Sequence, residues 1–420
     1  MQVWLWSLQL AVFSTFDRCL RNSQTKLTSM MTRRERLMAT LRGEPVDRPA
    51  VNLYEIGGFK VDPSDPDPFN VYNDPSWQPL LQLAEQQTDL IRMQSPVRLR
   101  SFDVENPTGR SGADNCRSEF FRTEEYVEDG RRFTRVNLKI GDRTMTSLTR
   151  RNPDADTVWT LEYLLKSTDD LRAYLELPDE VFTEQVDVGK LIDEDVELGD
   201  GGIVMVDTED PICAAASLLS MEDFTIIAMT ERQLLHSLLE KLSRYIYART
   251  EKAAKEFPGH LWRIYGPEYA TEPYLPPNLF KEYVVRYDTS MIEAIQRYGG
   301  FARIHCHGRI RSVLDYIIKM GADAIDPIEP PPQGDVKIEY VRREYGKNLV
   351  LFGNLEISDI EEAEPAEFEK IVEKTLEEGT AGQGRGFVLM PSSSPFGREI
   401  TPRTLANYNS MVRLAINYSL

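Results

Sequence analysis

Histidine and cysteine are scarce in this chain, with four of each among 420 residues. The cysteines, Cys19, Cys116, Cys213 and Cys306, are scattered and form no CxxC pair. That excludes a disulfide scaffold and points to a reducing, cytoplasmic setting. Basic residues are also in deficit: 49 Lys and Arg face 67 Asp and Glu, a formal net charge of −18. A chain of that charge has no general attraction for nucleic acid or anionic membrane. No G-x-G-x-x-G follows the first candidate strand, so a doubly wound dinucleotide fold lacks its usual signature. The most apolar stretch, Met1 to Phe16, is too short and too interrupted to span a bilayer and has no basic n-region. Residues 1–30 therefore read as a non-native or disordered leader, dispensable to a domain covering 31–420.

The domain announces its start. Thr32-Arg33-Arg34-Glu35 has the form of a capping box, Leu37, Met38 and Leu41 follow as an apolar stripe, and Gly43 ends the helix. Candidate strands then appear at Pro49–Tyr54 and Asp89–Ile91. Residues 97–150 have a different texture, polar and apolar in alternation around a Glu128-Asp129-Gly130 turn. They read as an antiparallel insertion between early strands. From Gly201 onward, short apolar strands alternate regularly with helices: Ile203–Val206, His260–Tyr265, Phe301–His305, Ala322–Asp326, Leu349–Asn354 and Gly386–Met390. Two early strands and these six give the α/β pattern of a (β/α)8 TIM barrel with an antiparallel β insertion.

Phe301-Ala302-Arg303-Ile304-His305-Cys306-His307-Gly308 holds two of the four histidines. In a strand, residues two apart share a face, so His305 and His307 point to one place and Cys306 points away. Paired imidazoles at a strand end suit zinc or another borderline metal; the bland alternative is one capping histidine and one polar pocket residue. In a TIM barrel, catalytic groups gather at the C-terminal strand ends. There the sequence places Asp89, Asp207, Glu209, Tyr265, Glu268, Glu272, Asp326, Glu329, Asn354, Glu356 and Ser392-Ser393-Ser394. Any one of them alone is better read as a turn or capping residue. Gly382-Gln383-Gly384-Arg385-Gly386 precedes a strand and opens no helix, so a flexible turn is favoured over an anion cradle.

Several spaced motifs resemble one family. Arg34-Glu35-Arg36-Leu37, then Leu41-Arg42-Gly43-Glu44-Pro45-Val46-Asp47-Arg48-Pro49, is similar to the start of uroporphyrinogen-decarboxylase-like domains. So are His305-x-His307-Gly308, Gly321-Ala322-Asp323-Ala324, Gly353-Asn354 and Met390-Pro391-Ser392-Ser393, in that order. The resemblance runs from about Thr32 to Ser419. It implies a TIM barrel with one of two activities. One branch decarboxylates porphyrinogens without a cofactor, using an aspartate that would here be Asp89. The other consists of zinc-dependent methylcobamide methyltransferases. The decarboxylase's Arg-Gln-Ala-Gly-Arg run and late histidine are missing here. In the methyltransferase pattern, His307 stands where a cysteine is expected, and serines replace the second cysteine.

The resemblance thus implies a metal-dependent methyltransferase moving a methyl group between a corrinoid, carried by a partner protein, and a small thiol or similar acceptor. Zinc would be held by His305, His307 and a carboxylate, Glu356 or, as an alternative, Glu268. Asp89, Glu268, Tyr265, Asn354 and Ser393 are the remaining catalytic candidates. Porphyrinogen decarboxylation and a non-catalytic, ligand-binding barrel stay open as alternatives. The sequence does not specify the oligomeric state.

Overall fold

The computed structural model describes residues 30–97, 113–382, 384 and 386–420. The expected leader at 1–29, part of the expected insertion, and Gln383 and Arg385 of the glycine-rich turn lie outside these. Within them, Thr32 caps the helix Arg33–Arg42 through its side chain, Glu35 completes the capping box, and Gly43 ends the helix at φ 69°. The sequence reading of this start is met in full.

Eight parallel strands form one curled, TIM-like sheet: β1 (Ala50–Val51), β2 (Leu90–Gln94), β7 (Gly202–Glu209), β8 (Leu261–Tyr265), β9 (Phe301–His305), β10 (Ala324–Asp326), β11 (Val350–Leu355) and β12 (Phe387–Pro391). Their order is β1-β12-β11-β10-β9-β8-β7-β2. The two outermost strands approach each other where Asp89 N–H donates to the Val51 carbonyl at 2.7 Å. Every strand expected from the sequence is present, with shifted ends.

Alternation along the strands sorts side chains into two shells. Ala302, Ile304 and Cys306 join the large apolar cluster between sheet and helices. Leu261, Ala324, Val350, Phe352, Val388 and Met390 fill the inner face. Arg263 and Tyr265 on β8, Arg303 and His305 on β9, and Asn354 on β11 continue that inner face toward the C-terminal strand ends. The strands thus run from an apolar floor into a charged upper layer.

Between β2 and β7 lies the insertion. It holds a four-stranded antiparallel sheet, β3 (Phe121–Glu128), β4 (Arg131–Ile140), β5 (Arg143–Arg151) and β6 (Val158–Glu162). The expected turn is present, with Asp129 and Gly130 both at positive φ. The sheet extends past residue 150, and a helix, Ala113–Phe120, precedes it where only strands were expected. Asp156 N–H donates to the Phe396 carbonyl at 2.7 Å, and Arg398 reaches the Pro153 carbonyl at 2.6 Å. These bonds tie the insertion to the loop after β12, beside the C-terminal strand ends. No helix among the described residues is long and apolar enough to cross a membrane.

Candidate functional site

The upper layer is built around Arg263, buried in the middle of β8. Its Nε and Nη2 donate to the two Asp207 oxygens at 2.6 and 3.1 Å, and its Nη1 to the Tyr54 hydroxyl. Burial would depress this guanidinium, but the Asp207 charge holds it well above its ordinary value. Tyr54, at φ 58°, occupies the left-handed region, rare for a large side chain. Its buried hydroxyl lies 3.5 Å from His305 Nε2. Since Arg263 can only donate, the Tyr54 O–H is left to donate onward, with the His305 lone pair as its nearby acceptor.

His305 Nδ1 lies 2.8 Å from Asp326 Oδ2. A buried carboxylate there holds the proton on Nδ1 and leaves the Nε2 lone pair facing the lumen. His307 repeats the arrangement: Nδ1 lies 2.9 Å from Glu329 Oε1, whose other oxygen accepts from Gly308 N–H at 2.6 Å. The two rings meet edge to face with centroids 4.7 Å apart. Cys306 is fully buried on the opposite side. The strand phase read from the sequence is the one observed.

Their environments push the two imidazoles in opposite directions. Burial is the largest influence on His305 and holds it below the ordinary imidazole range, against the pull of Asp326. Burial also opposes charge on His307, but the Glu329 hydrogen bond and charge, with Glu268 and Asp326, outweigh it and raise its pKa. Burial works against the Asp326 carboxylate too, yet Arg303, 2.9 Å away, and His305 pull it down to about 2. Glu356 goes the other way: burial and the Glu329 charge raise it to about 7.

The remaining candidates divide. Tyr265 donates to Glu209 Oε2 at 3.4 Å, beside the Arg263 guanidinium. Asn354 is buried at the end of β11, and its Oδ1 has no hydrogen-bond partner among the described residues. Glu356 spends one oxygen on the Ser392 hydroxyl at 3.1 Å; its Oε1, and Oε2 of Glu268, are buried without partners among the same residues. Ser393 turns its hydroxyl to the Ser394 carbonyl at 3.4 Å. These residues stand at the same end of the sheet as the histidines.

Asp89 does not, and its placement must be corrected. It precedes β2, at the end where strands begin. Its carboxylate accepts Arg36 Nη1 at 2.7 Å, Arg48 Nη1 at 2.8 Å and Val51 N–H at 2.9 Å. The C-terminal residue of β2 is Gln94. A carboxylate saturated by two arginines at the far end of the sheet is a structural tie.

For zinc, the donor types fit. Both imidazoles present Nε2 with Nδ1 anchored on a carboxylate, the usual support of a metal-bound histidine. The arrangement is incomplete: no group of three or more His, Cys, Asp or Glu side chains among the described residues is placed to hold a metal ion. Glu356, the expected third ligand, is turned to Ser392.

Sequence reasoning missed Tyr54, Arg263 and Arg303. The usable signal was parity: Arg263 shares a face with Tyr265, and Arg303 with His305, so each arginine had to enter the same lumen.

Comparison with known proteins supplies the family. No curated protein matches the chain. Among solved structures, a methyltransferase from Methanosarcina mazei is similar, with 14% sequence identity and a TM-score of 0.55 over 92% of this chain and 98% of its own. At that identity the likeness concerns the fold. The uroporphyrinogen decarboxylase (URO-D) family model matches residues 160–414, more than half of the sequence, with both site histidines, Asp326 and Glu329 among them. The chain belongs to the uroporphyrinogen decarboxylase (URO-D) family.

Proposed function

We propose that this protein is a (β/α)8-barrel methyltransferase that moves a methyl group between a corrinoid, carried by a partner protein, and a small thiol or similar acceptor. The observation that carries the reading is the histidine pair: two imidazoles on the lumen face, each oriented by its own carboxylate. The name borne by the structural neighbour supports the same branch. Asp89 argues against the decarboxylase branch, because that reading needs its carboxylate at the mouth, and it lies at the opposite end.

In this reading the acceptor thiol sits against His305 Nε2, which takes its proton. Asp326 stabilises the resulting imidazolium across the 2.8 Å contact. Tyr54, clamped by Arg263 and Asp207, fixes the ring and keeps water from Nε2. The thiolate attacks the methyl carbon; the sulfur–carbon bond forms as the cobalt–carbon bond breaks, and the electron pair stays with the corrinoid. His305, His307 and Glu356, the last released from Ser392, could instead hold a zinc ion; the Nε2 lone pair would then be a ligand, and the metal would supply the acidification of the thiol in place of the imidazole base.

The test is methyl transfer from methylcobalamin to a panel of small thiols, with elemental analysis of the same preparation. Thioether formation that disappears in His305→Ala is the expected result. A folded protein that forms no thioether but releases CO2 from a porphyrinogen would replace this reading with decarboxylation. A folded protein that does neither while binding a small ligand would make it a non-catalytic barrel.

A further inference from the structure

The upper layer holds more carboxyl groups than cationic side chains to pair with them. Asp207 is spent on Arg263, Asp326 on Arg303 and His305, and Glu329 on His307. Glu55, Glu268 and Glu356 remain, and no salt bridge among the described residues reaches any of them. They enter from three places around the mouth: the segment after β1, the turn after β8 and the end of β11. All three lie close enough to His307 to interact with its charge.

A second, independent observation points the same way. Asn354 and Ser394 are more than nine-tenths buried, and the Oδ1 of one and the Oγ of the other have no hydrogen-bond partner among the described residues. Asn354 follows Phe352 on the lumen face of β11 and pairs with Met390 of β12, whose side chain also fills the lumen. Asn354 Oδ1, Glu356 Oε1 and Glu268 Oε2 are thus buried acceptors, all at the C-terminal end of the sheet, that no donor among the described residues reaches. Such acceptors are costly unless something that donates meets them. An ammonium carries three donors and no acceptor, the complement of this lining.

Resting on the methyl-transfer reading, we propose that the acceptor is an organic cation: a small molecule whose ammonium group binds among Glu268, Glu356 and Asn354, as in an aminothiol. Its thiol then faces His305. The overall charge of −18 favours approach of such a molecule and disfavours an anionic one.

The experiment compares compounds of similar size that differ in end charge. Binding to the full chain is measured by calorimetry for 2-aminoethanethiol, 2-mercaptoethanol, 3-mercaptopropionate and thiol-free ethylammonium. The aminothiol is expected to bind at least about tenfold more tightly than the neutral thiol, the value of one charge-assisted hydrogen bond. The mercaptocarboxylate is expected to be weakest. Glu268→Gln and Glu356→Gln, each of which keeps the side-chain shape, should each remove that preference, with folding verified by circular dichroism. Equal or tighter binding of 3-mercaptopropionate, or an unchanged ranking in both glutamine variants, overturns the inference. Ethylammonium separates the two claims. If it binds through Glu268 and Glu356 while no thiol accepts a methyl group, the cation site stands and the methyl-transfer reading falls.

Discussion

Asp89 and Arg36 meet at 2.7 Å in the interior, at the end of the sheet opposite His305. Arg36 also holds Asp47 through Nε at 2.6 Å, and Arg48 closes on the other Asp89 oxygen. The capped first helix, the turn after it, β1 and β2 are therefore locked by one fully buried carboxylate. Removing Asp89 from such a network deprives Arg48 of its carboxylate and leaves Arg36 with Asp47 alone, and breaking a buried pair typically costs about 3–5 kcal/mol. Asp89→Ala should lower the melting temperature by several degrees while leaving turnover per folded molecule unchanged. A variant that melts normally but is inactive would return Asp89 to the active site.

The Asp89 misreading shows what the sequence could and could not convey. Strand existence was legible, because short runs such as Leu349–Asn354 alternate with helices too regularly to be anything else. Strand ends were not. An aspartate before an apolar run and one after it look alike until the register is known. Here β2 begins at Leu90 and continues through Arg92, a charged residue that makes the run look finished at Ile91. The histidine pair was legible because a period of two is local. Its supports were less so: Asp326 and Glu329 lie 21 and 22 residues further on, and only the pairing of β9 with β10 brings them back. Tyr54 gave no signal, since its role rests on a backbone conformation that no residue type announces.

The opposed faces of β9 give a direct contrast. His305→Ala and His307→Ala should each lower methyl transfer by about 10²–10⁴-fold, the usual weight of a positioned acid or base. Any metal bound by the pair should fall with them. Both side chains line the lumen, so far-ultraviolet circular dichroism should be unchanged. Cys306→Ser should leave activity and metal content alone, at a modest cost in stability from a hydroxyl in an apolar shell. If Cys306→Ser abolishes turnover while His307→Ala does not, the histidine assignment is wrong.

Tyr54 can be tested without truncating the layer. Tyr54→Phe keeps the ring against His305, with centroids 6.0 Å apart, and removes only the hydroxyl between Arg263 and Nε2. Arg263 then loses one acceptor but keeps both Asp207 oxygens. We expect kcat to fall by about tenfold or more, with little change in KM, since the hydroxyl fixes the base and does not hold the acceptor. Unchanged kcat across the pH range would remove Tyr54 from the mechanism.

The last prediction concerns a pair of carboxyl groups away from the histidines. Asp210, the N-cap of the helix after β7, and Asp288, on the helix Arg286–Arg297, are both fully buried and interact directly. Asp210 Oδ1 accepts Cys213 N–H at 2.6 Å, but no cation among the described residues pairs with either group. Gly266 makes the close approach feasible: at φ 122° a Cβ there would lie 2.4 Å from that same oxygen. Burial pushes both groups well above the ordinary carboxylate range, with Asp288 and Glu268 adding to the shift on Asp210. The sign follows from proton linkage. Between the unfolded value near 4 and the raised native value, the folded state binds more protons than the unfolded one, so stability falls as pH rises. Asp288→Asn removes one titrating group and can still donate to Asp210. Its melting temperature should match that of the wild type near pH 4 and exceed it increasingly toward pH 8. Thermal melts of the two proteins across that range decide the matter, because titrations outside the Asp210–Asp288 pair cancel in the difference. A gap that stays constant with pH, or narrows as pH rises, would mean that the pair is ionised in the folded protein.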